Sequence, residues 1–302
     1  MKTANPGNGI LLLDKPLGLS SNAALQKTRR MLGADKAGHV GSLDPLASGM
    51  LPICLGEATK IAGDILSGRK LYRFTVALGT RTATGDTEGS VVETAAVPDF
   101  DESQLDRVLL QFHGNQTQIP PMYSALKRDG QPLYKLARAG IEVERAARDI
   151  EIFALTRQAW SVSQLELEVL CSKGTYVRTL AEDIAKALGT CGHVRALRRV
   201  YVEPFNEAPM DTLESIASAL EAGSLPRILP ADAPLQHMVA VRLDSRATEK
   251  MLHGQPVTAG DGGTAGRVRL YDAEGAFIGI GESDGAGSVR PKRLFNAAQP
   301  SQ

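Results

Sequence analysis

The stretch GHVGSLDPLASGMLPI, residues 38–53, is the most unusual part of this 302-residue sequence. It surrounds one histidine, His39, and one aspartate, Asp44, with glycine and proline residues whose backbone preferences are special. We expect residues 34–52 to form a long loop, because they show neither helical nor strand periodicity. A loop held in a fixed shape by glycine and proline commonly positions functional groups, although these residues are also compatible with an ordinary surface turn.

The composition is that of a globular protein with about two domains. Hydrophobic residues make up 43% and charged residues 23%, which are ordinary values. The three cysteines, Cys54, Cys171 and Cys191, are far apart and lack CxxC spacing, so we expect no disulfide framework and a reducing, cytoplasmic compartment. We expect no membrane span, no signal peptide, no metal and no cofactor. The chain has no GxxxxGK[ST] and no convincing GxGxxG, which argues against an α/β enzyme with a phosphate loop.

Positive charge is clustered along the chain, although the 34 lysines and arginines are balanced by 34 acidic residues. Such clusters can engage phosphates even on a neutral protein, while any one of them is also compatible with a solvated surface. The clusters lie in residues 1–30, in residues 121–148, at Arg195, Arg198 and Arg199, and at Arg290, Lys292 and Arg293.

Periodicity and capping residues predict both strands and helices. Strands are expected at residues 9–13, 70–79, 164–171 and 193–203. Helices are expected at residues 20–32, 57–66, 101–112, 133–139, 176–188, 211–222 and 245–253. Residues 118–148 look like a polar excursion from the sheet. The proline-rich residues 225–234 are the best candidate linker, and residues 237–297 suggest a small β-rich domain.

Four ordered motifs carry a resemblance to a known family. They are DKPLGLSS (14–21), GHVGSLDPLASGMLPICLGEATK (38–60), PPMYSALK (120–127) and CSKGTYVRTLAEDI (171–184). Over essentially the whole chain they resemble the TruB family of bacterial tRNA pseudouridine-55 synthases. The resemblance implies an α+β fold: a mixed, mainly antiparallel sheet with flanking helices, and a small β-rich PUA-like domain. It implies a catalytic domain over 1–234, with a thumb insertion at about 118–148, and the PUA-like RNA-binding domain over 235–302.

By the same resemblance, Asp44 is the catalytic carboxylate of an isomerase that converts the T-loop uridine at tRNA position 55 to pseudouridine. The reaction breaks the C1′–N1 bond, turns the uracil and joins C5 to C1′. One carboxylate suffices because no water enters, whereas glycoside hydrolases need two. Attack at C1′, addition to C6 and elimination to a glycal all stay open. Ala83, Val40 and Ser42 depart from the commonest motif without affecting the assignment.

The same resemblance assigns the residues that are expected to form the substrate pocket, some of them outside the four motifs. The family pattern places Arg178 against the aspartate, where a bidentate guanidinium would offset the desolvation of the carboxylate. Tyr72 is expected to stack on the uracil and to take a proton during the rearrangement. His39 is expected to fill the space that the flipped-out base leaves in the RNA loop. Tyr176 and Leu197 complete the pocket walls.

Basic residues are expected to bind the tRNA backbone. Thumb residues would grip the T arm, and C-terminal residues would reach toward the acceptor side. The expected contacts are Lys127, Arg128, Lys135 and Arg138 in the thumb and Arg290, Lys292 and Arg293 in the C-terminal domain. Lys15 and Lys60 are expected to be structural or to face phosphate.

The expected partner is tRNA, bound by a monomer that needs no protein partner or guide RNA. One alternative is a guide-RNA-dependent relative of the archaeal and eukaryotic type, against which the complete thumb argues. Another is a non-catalytic tRNA chaperone, against which the presence of Asp44, Arg178 and Tyr72 argues. Assistance with tRNA folding in addition to catalysis stays open.

Overall fold

A computed structural model describes residues 6–258 and 264–296. Its strands are β1 (Gly9–Lys15), β2 (Ala37–His39), β3 (Ala47–Leu55), β4 (Lys70–Leu78), β5 (Thr80–Thr82), β6 (Val91–Thr94), β7 (Gly114–Gln118), β8 (Lys127–Arg128), β9 (Gln131–Pro132), β10 (Arg148–Ser161), β11 (Gln164–Cys171), β12 (Gly192–Val202), β13 (Leu229–Pro230), β14 (Val239–Arg242), β15 (Val257–Thr258), β16 (Gly266–Tyr271), β17 (Phe277–Ser283) and β18 (Ser288–Leu294). Its α-helices are α1 (Ser21–Leu32), α2 (Ala62–Ser67), α3 (Glu102–Leu110), α4 (Leu133–Arg138), α5 (Val177–Ala187), α6 (Leu213–Glu221) and α7 (Ser245–Leu252). Two 3-10 helices span Gly56–Ile61 and Ala233–Leu235.

A nine-stranded sheet carries most of the chain. Its order is β13-β1-β3-β12-β4-β11-β10-β7, and β2 pairs with β3 outside this path. Neighbouring strands are antiparallel except for β3 and β12, which run parallel. The expected mixed, mainly antiparallel sheet with flanking helices is confirmed.

Amphipathic helices cover this sheet because their apolar residues recur with the helical period. Helix α5 buries five apolar positions, Val177, Leu180, Ala181, Ile184 and Ala185. They pack with residues of α3 and of strands β4, β10, β11 and β12 in one apolar core. A second core joins α1 and α6 to β1 and β3. This packing fixes helix α5 against the sheet. It therefore also fixes the position of Arg178, which lies in the first turn of α5.

The expectation of one long loop over residues 34–52 is wrong. Residues Ala37–His39 form β2, and Ala47–Leu55 form β3, a central strand of the large sheet. Strand β3 is buried at almost every position, so it shows no alternation of polar and apolar residues. Gly49 and Pro52 also have low strand propensity, and packing overrides it here.

The large sheet has a long excursion between two neighbouring strands. Strand β7 ends at Gln118, β10 begins at Arg148, and these two residues face each other across the antiparallel pair. The intervening residues leave the sheet and contain β8, β9 and α4. This segment, called the thumb below, occupies the range predicted for the thumb insertion, whose role stays a prediction. Strand β10 itself, with 14 residues, is absent from the expected elements because its exposed face is interrupted by apolar residues such as Phe153.

The C-terminal residues form a five-stranded sheet of order β14-β16-β17-β18-β15. Ile280 and Phe295 of this unit pack in one apolar core with Ile10 and Met50 of the large sheet and with Ile61, which follows β3. The β-rich C-terminal unit is confirmed, while the domain division at 234 and 235 stays a prediction. Residues 259–263 and 297–302 of the expected C-terminal domain lie outside the described residues.

None of the helices in the described part of the chain is long and apolar enough to cross a membrane.

Candidate active site

The Asp44 carboxylate lies in a short connection between β2 and β3 that hydrogen bonds hold in place. The Ser21 hydroxyl in α1 donates to the Leu43 carbonyl (2.9 Å) and accepts from the Leu43 amide (2.7 Å). The Gly18 amide donates to the Pro45 carbonyl at 2.8 Å. The connection is therefore tied on one side of Asp44 to α1 and on the other side to the turn that precedes α1, which limits the positions its side chain can take.

Arg178, in the first turn of α5, is the central cation of the site. Its Nε lies 3.0 Å from Asp44 Oδ2 and 3.7 Å from Asp86 Oδ2. Nη1 donates to the Thr84 carbonyl (2.7 Å) and Nη2 to the Tyr123 carbonyl (2.6 Å). Nε is thus the guanidinium atom that meets Asp44, while the hydrogen bonds of the two Nη atoms go to main-chain carbonyls and not to a bidentate contact with Asp44.

The protonation of Asp44 depends on two opposing influences. Burial raises the pKa of Asp44 above its ordinary value, and the neighbouring charge of Asp86 raises it further. The Arg178 charge is the strongest influence that lowers this pKa. The Asp44 side chain is still 40% exposed, toward the cavities described next. Arg178 is thus the group that favours the ionised, reactive form of the carboxylate.

A cavity of about 410 Å³ opens beside Asp44. Its walls include the side chains of Asp44, Tyr72, Tyr176, Arg178 and Leu197. Tyr72 comes from β4, Leu197 from β12, and the other two from the start of α5. The structure therefore brings together five of the six residues that the sequence assigned to catalysis and substrate binding.

His39, the sixth residue, lines an adjoining cavity of about 560 Å³ that also contains Asp44. Burial and the charge of Arg199 lower the pKa of His39 below its ordinary value, which favours the neutral ring. Its Nδ1 atom is buried without a hydrogen-bond partner. Tyr134 and Arg138 of the thumb line the same cavity, so Asp44 sits in the wall between a small pocket and a wider cleft under the thumb.

Gln118 is a supporting residue that the sequence did not reveal. Its side chain is 5% exposed, accepts from the Tyr176 amide (2.9 Å) and donates to the Tyr176 carbonyl (3.3 Å). This two-way contact fixes the residue that precedes α5. Glutamine is usually exposed, and nothing in its sequence context marks Gln118 as buried.

Arg199 also lines the 410 Å³ cavity, although the sequence placed it in a cluster of cations on the surface that could engage phosphate or simply face solvent. That expectation is wrong, because Arg199 is 1% exposed. Its neighbour Arg198 points elsewhere and pairs with Asp14 through two contacts of 2.8 and 2.9 Å. The available signal was strand alternation, since Arg199 lies two residues after Leu197 and so shares its face.

Two lysines of the matched motifs are structural. The Lys15 ammonium is buried and donates to the carbonyls of Pro16 (2.8 Å) and Leu19 (2.7 Å). The Lys60 ammonium contacts Glu57 at 2.6 Å and donates to the Leu294 carbonyl at 2.8 Å, which joins the segment after β3 to the C-terminal sheet. Neither lysine is oriented toward the cleft.

The basic residues expected to bind RNA fall into two groups. The thumb residues Lys127, Arg128, Lys135 and Arg138 are all exposed, and Arg138 lies over the Tyr134 ring at 5.7 Å. In the C-terminal unit, Arg290 (2.8 Å) and Lys292 (3.1 Å) both pair with Glu282. Arg293 donates to the Lys60 carbonyl and so contributes to the contact between the two sheets.

No group of three or more His, Cys, Asp or Glu side chains that could hold a metal ion occurs within residues 6–258 and 264–296.

Comparison with known proteins identifies the family. The chain matches the model described as "TruB family pseudouridylate synthase (N terminal domain)" over residues 29–177. It matches "tRNA pseudouridylate synthase B C-terminal domain" over 178–236 and "Pseudouridine synthase II TruB, C-terminal" over 240–295. The chain belongs to the TruB family. Asp44, Tyr72 and Tyr176 lie within the first match, and Arg178 begins the second.

Similar curated proteins agree with the TruB assignment over nearly the full chain. A protein named tRNA pseudouridine synthase B from Dechloromonas aromatica (strain RCB) is 50% identical over 291 residues, or 96% of each chain. One of the same name from Hydrogenovibrio crunogenus is 48% identical over 290 residues, which is 96% of this chain and 94% of the relative.

Solved structures support the TruB fold. The crystal structure of a Cbf5-Nop10-Gar1 complex contains a chain that matches with a TM-score of 0.71 at 23% identity. The match covers 95% of this chain and 85% of that one. A structure of an H/ACA RNP bound to a substrate RNA containing 2′-deoxyuridine matches with a TM-score of 0.70 at 21% identity and the same coverage. At this level of identity the similarity establishes the fold alone.

Proposed function

We propose that this TruB-family chain is a tRNA pseudouridine synthase, an isomerase that converts the T-loop uridine at tRNA position 55 to pseudouridine. Relatives of 48–50% identity over 96% of the chain carry the name tRNA pseudouridine synthase B. The observation that carries the proposal is the Asp44 carboxylate, held 3.0 Å from the buried Arg178 guanidinium in the wall shared by two cavities.

The two cavities suggest how the target nucleotide binds. A base inside a folded RNA loop must leave its stack before chemistry can occur. The small pocket would take the flipped uracil, with the Tyr72 ring on one face, a contact worth about 1–3 kcal/mol. The wider cleft under the thumb would take the rest of the loop, and the neutral His39 ring would fill the space that the base has left.

The reaction exchanges one bond to C1′ for another. The C1′–N1 bond breaks and its electron pair stays on the uracil, the ring turns, C5 bonds to C1′, and the proton lost from C5 is balanced by a proton gained at N1. Asp44 acts where the ribose meets the base, by attack at C1′, by addition to C6 or by promoting elimination to a glycal. The apolar and aromatic walls formed by Tyr72, Tyr176 and Leu197 exclude water, which keeps the detached base from being lost to hydrolysis.

Recognition of tRNA would depend on shape and on phosphate contacts from the thumb. Because the thumb is complete within this chain, the enzyme is proposed to act as a monomer without a guide RNA or a partner protein. Purified protein should therefore modify an unmodified tRNA transcript at one uridine of the T loop. Mapping the modified position tests the assignment of the T-loop uridine. A requirement for an added RNA or protein would contradict the proposal that the chain acts alone.

The Asp44→Asn variant tests the chemical role of the carboxylate. We expect it to bind tRNA yet release no tritium from C5-labelled uridine, because the amide keeps the size of the side chain and removes its charge. Asp99→Asn, an exposed carboxylate near α3, is the matched control and should release tritium at the wild-type rate. Normal tritium release by Asp44→Asn would contradict the proposal. The same variant allows any assistance with tRNA folding to be measured apart from catalysis.

A further inference from the structure

Two buried arginines face the small pocket, and they differ in how their charge is neutralised. Arg178 is 5% exposed and has the carboxylates of Asp44 and Asp86 beside it. Arg199 is 1% exposed, and no carboxylate within residues 6–258 and 264–296 forms an ion pair with it. A buried charge without a counter-ion is expensive because burial removes its water. Within the described part of the chain Arg199, unlike Arg178, is buried without a counter-ion, and this arrangement calls for a physical reason.

The Arg199 guanidinium is anchored by main-chain oxygens, which fix its position and leave its charge intact. Nε donates to the Met50 carbonyl (2.7 Å) and Nη2 to the Gly41 carbonyl (2.9 Å). Gly41 lies against this guanidinium and Gly49 lies against the main chain of residue 199, and both glycines have positive φ. A Cβ atom on Gly41 would lie 3.2 Å from Nη1, and one on Gly49 would lie 2.1 Å from the Arg199 carbonyl oxygen.

The charge of Arg199 acts on the groups around the pocket. Burial lowers the pKa of Lys15 and of Lys70 to about 8, and the Arg199 charge contributes to both shifts. Burial raises the pKa of Tyr72, and the Arg199 charge is the strongest influence that opposes this rise. Tyr72 faces Arg199 directly across the β4–β12 pair. These effects place a region of positive potential on the side of the pocket where the uracil would stack.

The proposed reaction creates a negative charge in this region. When the C1′–N1 bond breaks, its electron pair remains on the uracil and spreads over N1 and the two carbonyl oxygens. The anion persists while the ring turns, until C5 uses an electron pair to bond C1′. A fixed positive charge in a dry pocket stabilises such an anion more than it stabilises the neutral starting base.

We propose that Arg199 is a further residue of the pocket, whose unneutralised guanidinium stabilises the detached uracil anion. The proposal rests on the proposed function, since that reaction supplies the anion. It assigns different roles to the two arginines. Arg178 is neutralised by carboxylates and holds Asp44, whereas Arg199 has its counter-ion only while the base is detached.

The test compares two substitutions and two substrates in single-turnover reactions with saturating enzyme. Arg199→Met removes the charge and keeps the length, and Arg199→Lys keeps the charge. Arg198→Met is the matched control, because Arg198 is adjacent, partly exposed and paired with Asp14. The substrates are tRNA with uridine and tRNA with 5-fluorouridine at the target position. Fluorine at C5 withdraws electrons, so the fluorouracil anion needs less external stabilisation.

We expect Arg199→Met to slow formation of the C-linked product from uridine by roughly 100-fold, the usual cost of one group that stabilises a developing anion. Arg199→Lys should recover part of this loss. The defect of Arg199→Met should be clearly smaller with 5-fluorouridine, while tRNA binding stays at the wild-type level. Arg198→Met should change the rate by no more than about twofold.

Equal defects on the two substrates would overturn the proposal, as would a lysine variant no better than methionine, since either result assigns Arg199 to structure. If Arg199→Met does not fold, Arg199→Gln, which can still donate to one carbonyl, replaces it. Failure of both to fold would also overturn the proposal. A wild-type chain that makes no pseudouridine would instead remove the proposed function, so the two failures are distinguishable.

Discussion

The pocket and the thumb use charge in opposite ways. In the pocket, Arg178 is buried and its three nitrogens contact two carboxylates and two carbonyls at fixed distances. In the thumb, Lys127, Lys135 and Arg138 are exposed and free to follow a phosphate backbone. Buried charges act through geometry, so one change should have a large effect. Exposed charges act through long-range attraction, so their effects should be small, additive and sensitive to salt.

The largest effect is expected from Arg178→Lys. A lysine keeps the charge but cannot contact Asp44 while also donating to the carbonyls of Thr84 and Tyr123. We expect kcat to fall by roughly 100-fold or more, because small displacements of a reacting group are costly. The rate of tritium release in single-turnover reactions, compared between Arg178→Lys and the wild type, measures this fall. The control is Arg73→Lys, which alters an exposed ion pair with Glu168 and should leave kcat unchanged. A wild-type rate for Arg178→Lys would contradict the geometric role.

An intermediate effect is expected from Lys127→Ala combined with Arg138→Ala in the thumb. The double variant should bind tRNA more weakly, and the slope of log Kd against log salt should fall by about 1 for each lost phosphate contact. Binding titrations at several salt concentrations measure this slope. A matched double variant, Arg107→Ala with Lys186→Ala, removes two exposed cations from α3 and α5. An unchanged salt slope for the thumb variant, or an equal change for the control variant, would contradict the assignment of Lys127 and Arg138 to phosphate contacts.

The smallest effect is expected in the C-terminal unit. Glu282 pairs with both Arg290 and Lys292, so these cations are already partly neutralised. Glu282→Gln should free them and increase tRNA affinity by no more than about fivefold, since exposed ion pairs contribute roughly 0–1 kcal/mol. The same binding titrations measure this affinity. Glu274→Gln is the control, because it removes another exposed carboxylate of the same unit. Weaker binding by Glu282→Gln would indicate that this surface does not face RNA.

Much of the fold followed from the sequence where periodicity was clear. Helices α1 and α5 were expected close to their observed bounds, because their apolar residues recur with the helical period and Gly33 ends α1 in a left-handed conformation. Strand β3 was missed because it is buried on both faces and contains Gly49 and Pro52. A strand surrounded by other elements carries no alternation, so only its tertiary neighbours reveal it.

The site was predictable as far as the matched motifs reached. The motifs supplied Asp44 and Arg178, and the wider family resemblance supplied Tyr72, all of which the structure places around one pocket. They did not supply Gln118 or Arg199, since one lies just outside a motif and the other was counted as a surface cation. Their importance comes from burial, and burial of a polar residue cannot be derived from its type, which is ordinarily exposed.

The contact of Arg199 with two motif glycines has a consequence for the mutational history of the pocket. A Cβ atom at position 41 would crowd the Arg199 guanidinium at 3.2 Å, whereas one at position 49 would meet the main chain of residue 199, and Arg199 is anchored by the Gly41 carbonyl. The cost of changing Gly41 therefore depends on the side chain at position 199, whereas the cost of changing Gly49 does not. Libraries that vary residues 38–53 around a fixed Arg199 will explore only those loop shapes that fit this one side chain. New loop shapes become accessible when both segments are varied together.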